Sequence, residues 1–290
     1  MELQYIGFIV ISAFLHAFYN FLLRRTIGSE GFLFTMFMIA SGIAIGILVL
    51  TGEYANIPWH YFPYVYGASF FYVVYQILVA KAYERGNISA LYPLTVLSPI
   101  FIPIWAFLFL SESITILTGI GILTTVFGAI CVKLQSLSLR EFKKVFQLHS
   151  DYLGARFALG ASFVHSFGAI FDKSRIASFS GSAYLFIIIC SMTINMGLYW
   201  YFSGKKAIIS PLLTHWKTGL LAGITFYLSF LFFRIALKEV FVSLAVPVRQ
   251  IAIVFAIILG VLFLKEKLET KTVIGSLVII LGIILVNLGT

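Results

Sequence analysis

Charged residues are scarce in this sequence. Only 11% of its 290 residues are Asp, Glu, Lys or Arg, whereas a soluble domain carries about 25%. Cysteine is rarer still. Cys131 and Cys190 both fall inside apolar stretches, where we interpret them as packing thiols that carry no information about the redox compartment. The composition therefore excludes an ordinary soluble protein.

Sequence motifs for catalysis are also missing. There is no Gly-rich phosphate loop, no His/Cys/carboxylate spacing for a metal ion and no nucleophile elbow. We therefore expect neither an enzyme nor a bound cofactor or metal, and ATP-driven pumping would need a separate subunit. The first apolar segment lacks a basic leader and a small-residue cleavage site, so we interpret it as a retained span rather than a signal peptide.

Long apolar runs dominate the sequence, which is 61% hydrophobic. Ten runs of roughly twenty residues are each long enough to cross a hydrocarbon core of about 30 Å as a helix. They lie near residues 4–23, 31–51, 62–81, 88–110, 115–134, 152–172, 182–202, 217–237, 243–264 and 270–288. The pattern predicts an all-α polytopic membrane protein with ten transmembrane helices, surrounded by membrane lipids.

The net charge of +9 suggests a nucleic-acid ligand, but its distribution argues against one. Fourteen of the 20 basic residues fall in the loops that follow odd-numbered spans, and three fall in the other loops. Such asymmetry is typical of membrane topology, with basic loops in the cytoplasm. We therefore predict a protein of the cell membrane whose termini both lie outside.

The strongest pattern is an internal duplication. Residues 82–132 align with residues 236–286 at a constant offset of 154, with sixteen identities in 51 pairs. The matches include Pro93 with Pro247 and Glu112 with Glu266. A second offset of 149 relates the Phe-x-His-x-Phe motif around His16 to the one around His165.

Each repeat contains five spans, an odd number, so the second repeat must enter the membrane from the opposite side. The sequence predicts two inverted five-helix repeats, residues 1–134 and 152–290. Residues 135–151 join them. Their apolar and basic faces fit a short amphipathic helix on the cytoplasmic leaflet, and a solvated linker is the alternative.

These features resemble the drug/metabolite transporter superfamily, specifically its EamA-type ten-helix members. The resemblance rests on the Ala…Ser…Pro pattern entering each fourth helix, the Leu-x-Glu before each fifth helix, and the Asp172-Lys173 pair. It implies a central cavity lined mainly by helices 1, 3, 4, 6, 8 and 9. It also implies termini in the cytoplasm, which the basic loops contradict.

His16 and His165 are the leading candidates for the site. Ionisable groups deep in a span usually face a cavity or another polar group. Either imidazole could bind an anion when charged or couple transport to protons. The alternative is a neutral packing role for each.

Arg249 is the second candidate, because it follows a proline inside the ninth span and cannot shed its charge. We expect it to contact substrate or the carbonyls freed by Pro247, and we expect Arg234 to reach the interface. Glu112 and Glu266 fit structural positions at the starts of the fifth and tenth helices. The complete predicted substrate-binding set is His16, Tyr19, Asn20, Tyr72, Tyr75, Gln76, Tyr92, Thr95, His165, Arg249 and Gln250.

From the sequence, we place all eleven acidic residues at span ends or in loops, Asp172 included. A cavity with one arginine and two histidines is neutral to cationic, so we predict a small anionic or zwitterionic substrate. An amino acid, an organic acid or a phosphorylated or phosphonate compound would fit.

The function predicted is secondary transport by alternating access, with protons as a possible coupling ion and a monomer or homodimer as the working unit. The rival interpretation is a membrane scaffold or sensor, or an intramembrane enzyme on the same fold. A transporter requires polar groups from both repeats to converge on one space. A scaffold would bond them separately.

Overall fold

The computed structural model describes residues 2–25, 29–85, 91, 94–133, 152–203, 216–265 and 267–289. In this part of the chain eleven α-helices form ten spans. Spans one to five are α1 (Leu3–Arg25), α2 (Ser29–Thr51), α3 (Phe62–Tyr83), α4 (Ser98–Leu110) and α5 (Ile116–Lys133). Spans six to eight are α6 (Tyr152–Arg175), α7 (Gly181–Phe202) and α8 (Trp216–Glu239). Span nine consists of α9 (Val242–Arg249) and α10 (Ala252–Leu264), and span ten is α11 (Thr270–Leu288).

Seven spans are long and apolar enough to cross a membrane by length and composition, and α4 and α5 are shorter apolar helices. The sixth span, α6, is not among the seven, and it carries four charged residues: Arg156, Asp172, Lys173 and Arg175. The polytopic helical fold predicted from the sequence is confirmed. The predicted amphipathic linker, 135–151, lies outside the described residues.

Helix packing reproduces the duplication. The first span packs on the eighth, and the sixth packs on the third; likewise the first packs on the ninth and the sixth on the fourth. Single side chains repeat the pattern, since Phe14 meets Phe255 edge-on at 5.6 Å while Phe163 meets Phe101 edge-on at 5.7 Å. Exchanging the two repeats maps each pair onto the other. The halves are therefore related by a pseudo-two-fold axis, and with five spans each they are inverted in the membrane.

The fifth and tenth spans cross through glycines. A Cβ atom on Gly121 would lie 2.8 Å from the carbonyl oxygen of Gly282, and one on Gly128 would lie 2.8 Å from that of Gly275. Only hydrogen at these positions lets the two backbones meet this closely. The four glycines are repeat partners in the sequence, so this crossing lies on the symmetry axis.

The fourth and ninth spans are both interrupted at matching positions. The break after α9 falls at Gln250 and Ile251, and the non-helical residues 96 and 97 precede α4 at the equivalent place. In the fourth span the Ser162 hydroxyl donates to the Leu94 carbonyl at 2.6 Å and accepts from the Leu97 amide at 3.1 Å. The carbonyls and amides freed by proline-rich breaks are thus bonded internally, as the bilayer demands.

One face of the bundle carries both chain ends and the loops after even-numbered spans, and we call it the even-loop face. Its segments are joined by hydrogen bonds: Ser182 donates to the Glu53 carboxylate, and Lys238 donates to the Phe179 carbonyl at 2.7 Å. Hydrogen bonds from Ser180 and Ser182 lower the pKa of the Glu53 carboxyl below its ordinary value. The bond from Ser182 to Glu53 joins the two repeats at that face, and the bond from Lys238 to Phe179 joins two segments of the second repeat.

Candidate functional site

His16 lies near the middle of α1 and faces both α8 and the break in the ninth span. The Tyr19 hydroxyl lies 2.6 Å from His16 Nδ1, and Arg249 Nη2 lies 3.4 Å from the same atom. Because a guanidinium only donates, His16 Nδ1 acts as the acceptor in this arrangement. The Asn20 side chain donates to the His16 carbonyl at 2.8 Å, so its amide is held within the helix.

Arg249 ends α9 just before the break. Its guanidinium lies over the Phe233 ring at 4.3 Å, and its Nη2 lies 3.4 Å from the Ser229 hydroxyl. Its Nε is buried and has no hydrogen-bond partner among the described residues. Within the described residues no salt bridge neutralises this arginine, so the site keeps a positive charge without a bonded carboxylate.

His165 occupies the equivalent place in the second repeat but has different neighbours. Its ring packs against Tyr75 at 4.9 Å and Tyr72 at 5.5 Å, both on α3. Its Nδ1 is buried without a hydrogen-bond partner in the described part of the chain. α6, which carries His165, packs against α9, which carries Arg249, and Arg249 contacts His16, so the three ionisable groups lie on neighbouring helices.

The remaining predicted residues are distributed around this region. Gln76 and Gln250 are half-buried, Gln76 on α3 beside Tyr75 and Gln250 in the break itself. Thr95 is buried in the fourth span, at the repeat position of Arg249. Tyr92 lies outside the described residues.

A polar network beside this region was missed in the sequence. Asp172 is fully buried and accepts hydrogen bonds from Arg234 Nη2 at 2.6 Å, the Tyr184 hydroxyl at 2.6 Å and the Tyr72 hydroxyl at 2.8 Å. Arg234 also stacks on Phe230, 4.0 Å from the ring centre. The network ties α3, α6, α7 and α8 together through one carboxylate.

One prediction is corrected by this network. Arg234 was expected at the membrane interface, but it is only 4% exposed and bonded to Asp172. Asp172 lies in the last turn of α6, at the span end as expected, but it is fully buried. The signal available in the sequence was an acidic and a basic residue within two apolar spans, which must neutralise each other if both are buried. Tyr72, predicted to contact substrate, donates its hydroxyl to Asp172 and stays a predicted site residue.

Glu112 also differs from its prediction. It was expected at the start of the fifth helix, yet its carboxylate accepts from the Val242 and Ser243 amides at the start of α9, at 2.9 and 3.1 Å. The prediction of a carboxylate at a helix N-terminus was correct, but the helix is α9 and not the fifth-span helix α5. Glu266 lies outside the described residues.

A cavity of about 410 Å³ lies near the even-loop face and is lined by residues of α1, α7, α8 and the turn before α7. Its walls include Tyr5, Tyr184, Arg234 and Lys238. Arg234 and Tyr184 are both bonded to Asp172, so the Asp172 network lies against this cavity.

Known proteins resemble this chain at two levels. Residues 3–134 and 152–288 match the model of the EamA-like transporter family. The chain is 30% identical over 108 residues to the multidrug resistance protein EbrA of Bacillus atrophaeus, an alignment that covers 37% of this chain and 95% of that protein. A crystal structure described only as that of a protein shares the fold, with a TM-score of 0.76, 15% identity and coverage of 99% of this chain and 96% of the other.

The family match spans both repeats, whereas the 108 residues aligned with EbrA are fewer than one repeat contains. Inverted repeats, interrupted spans and a polar region between them are the architecture of secondary transporters. This chain belongs to the EamA-like transporter family and is a multi-pass membrane transporter.

Proposed function

We propose that this transporter moves a small anionic or zwitterionic metabolite across the cell membrane by alternating access. Candidates by chemistry are an amino acid, an organic acid or a phosphorylated or phosphonate compound. The odd-numbered loops, which hold most basic residues, face the cytoplasm in this proposal. The direction of transport is left open.

The observation that carries this proposal is the isolated charge of Arg249. A guanidinium cannot lose its proton inside the membrane, so a buried one requires an anion or strong acceptors. Among the described residues its side-chain hydrogen-bond partners are a neutral hydroxyl and an imidazole nitrogen. A substrate carboxylate or phosphate would supply the missing negative charge.

The nearby carboxylate does not change this balance. Asp172 already accepts from Arg234 and two tyrosine hydroxyls, so its charge is used within its own network. The unpartnered Nε of Arg249 and Nδ1 of His165 both belong to the second repeat, and His16 of the first repeat contacts Arg249. An anion bound between Arg249 and His165 would satisfy both atoms.

His16 and His165 are the proposed proton-coupling groups. Protonation of His16 would place a second positive charge 3.4 Å from Arg249 and would weaken that contact, unless an anion lay between them. Proton uptake and anion binding would therefore favour each other.

The rival interpretations fit the contacts less well. A scaffold or sensor predicts separately bonded polar groups, whereas Ser12, Ser229, Arg249, His16 and Tyr19 form one connected network between the repeats. Nothing in the site resembles a catalytic arrangement, and we propose no enzymatic activity. The multidrug relative favours a second candidate, export of lipophilic drugs.

Uptake into proteoliposomes tests these candidates together. The purified transporter is reconstituted and offered labelled amino acids, organic acids, phosphorylated compounds and lipophilic cations, with and without an imposed pH gradient. We expect uptake of a member of the first three classes, increased by the gradient. Uptake of lipophilic cations alone would support drug export and contradict our proposal.

A further inference from the structure

Glu112 forms the closest polar link between the end of the fourth span and the start of the ninth. Besides the two α9 amides, its carboxylate accepts from the Ser243 hydroxyl at 2.6 Å. Glu112 belongs to the first repeat, and Val242 and Ser243 belong to the second. Three hydrogen bonds thus join the repeats at the even-loop face through one side chain.

The carboxylate is held by backbone dipoles rather than by a salt bridge. Glu112 is only 4% exposed and forms no salt bridge with a described residue. Charge-assisted bonds to the first amides of a helix stabilise such a group, because these amides have no partner within the helix. Removing the carboxylate would leave the two amides and the hydroxyl unbonded.

The location of this link matters for transport. The fourth and ninth spans are the two interrupted spans, and both breaks lie toward the polar region between the repeats. Alternating access requires the contacts that shut one face to separate when that face opens. A bond between these two spans at the even-loop face is a contact of the kind that breaks when that face opens.

We propose that Glu112 is the positioning residue that holds the even-loop face shut, by fixing the start of α9 to the end of α4. The inference depends on the transporter fold and on alternating access, and it does not depend on the substrate proposed above. Loss of the carboxylate shifts the population toward the state that is open at this face.

Cysteine accessibility tests the proposal without any substrate. Ala245 is fully buried, two residues beyond the bonded Ser243, and Ala245→Cys places a small thiol beneath the link. The probe is a water-soluble maleimide added to purified protein, and the parent chain gives the background from Cys131 and Cys190. Glu112→Gln in the Ala245→Cys background is expected to speed labelling about tenfold or more, and Ser243→Ala to speed it less.

Two carboxylate variants serve as controls. Glu269→Gln removes an exposed acidic group near the start of α11 and should leave labelling unchanged. Glu266→Gln changes the repeat counterpart, which the inverted topology assigns to the opposite face, so it should not speed labelling at Ala245→Cys. Thermal unfolding of each variant shows that the fold is retained.

Unchanged labelling in folded Glu112→Gln and Ser243→Ala variants would overturn the proposal. Equal acceleration by Glu266→Gln would also overturn it, because it would reveal general loosening of the bundle. Should Glu112→Gln not fold, Ser243→Ala alone decides the outcome. Failure of anion uptake with accelerated labelling would reject the substrate class and leave Glu112 in this role.

Discussion

The two histidines occupy equivalent positions in the two repeats, but their surroundings differ. His16 is hydrogen-bonded to the hydroxyl of Tyr19, which lies three residues along the same helix. The repeat counterpart of Tyr19 is Gly168, where a Cβ atom would lie 3.0 Å from the Tyr72 ring. His165 therefore packs against Tyr72 of α3, and the Tyr72 hydroxyl is hydrogen-bonded to Asp172.

This difference distinguishes the contacts that build the scaffold from the contacts that form the candidate site. Contacts that the repeats share, such as the paired phenylalanines and the glycine crossing, build the inverted scaffold. Contacts that only one repeat has, such as Arg249 and the Asp172 network, supply the charges. Arg249 has Thr95 as its repeat counterpart, so the symmetric fold carries an asymmetric site.

The largest effect is expected where the repeats differ most. Asp172→Asn leaves the Arg234 guanidinium buried without its counter-charge, and this should cost about 3–5 kcal/mol of unfolding free energy. Thermal unfolding in detergent measures the loss. The double variant Asp172→Asn with Arg234→Gln removes both charges and should recover part of it. A single variant as stable as the parent would show that the pair adds nothing.

A smaller effect is expected at the symmetric crossing. Gly282→Ala places a Cβ 2.5 Å from the Thr125 amide nitrogen, so two backbones must separate, at about 1–3 kcal/mol. Gly119→Ala, on α5 with open space around it, is the matched control and should be neutral or stabilising. Equal unfolding midpoints for the two variants would contradict a close crossing.

The break in the fourth span gives a third comparison. Ser162→Ala leaves the Leu94 carbonyl and the Leu97 amide without their bridging hydroxyl, at a cost of about 1–2 kcal/mol. The control, Ser276→Ala, removes a hydroxyl bonded within its own helix and should change stability little. The repeat counterpart of Ser162 is Ala13, so the ninth span has no such bridge from α1. A neutral Ser162→Ala would mean that the bridge is unimportant.

The smallest effect concerns acid. The pKa of Glu53 is lowered by hydrogen bonds from Ser180 and Ser182, so the folded state favours the carboxylate. Its contribution to stability is present above the ordinary glutamate pKa of about 4.3 and is lost as the pH falls through the lower folded value. Glu53→Gln should reduce the dependence of the thermal unfolding midpoint on pH below about pH 4.3. An unchanged acid profile would contradict the shift.

Much of the fold could be predicted because its signals are local or periodic. Apolar run length gives the spans, and the duplication with five spans per repeat gives the inversion. The prolines in the fourth and ninth spans also indicated the breaks. These features depend on neighbouring residues and on the bilayer, and both can be read from one sequence.

The polar contacts could not be predicted in the same way. Asp172 and Arg234 are 62 residues apart, and the depth of each depends on where its helix ends and what covers it. Hydropathy ended the sixth span at residue 172, whereas packing extends α6 to Arg175. Glu112 shows the same limit, since its chemistry suited any helix start and only the fold selects α9.

The central claim is that Arg249 binds the anionic group of the substrate. The most direct test compares uptake of the identified anion by parent, Arg249→Lys and Arg249→Gln proteoliposomes. We expect Arg249→Gln to fold normally and its ratio of maximal uptake rate to KM to fall about tenfold or more. Arg249→Lys should have an intermediate ratio, because it keeps the charge but not the planar donors. Uptake by Arg249→Gln with unchanged rate and KM would contradict the account.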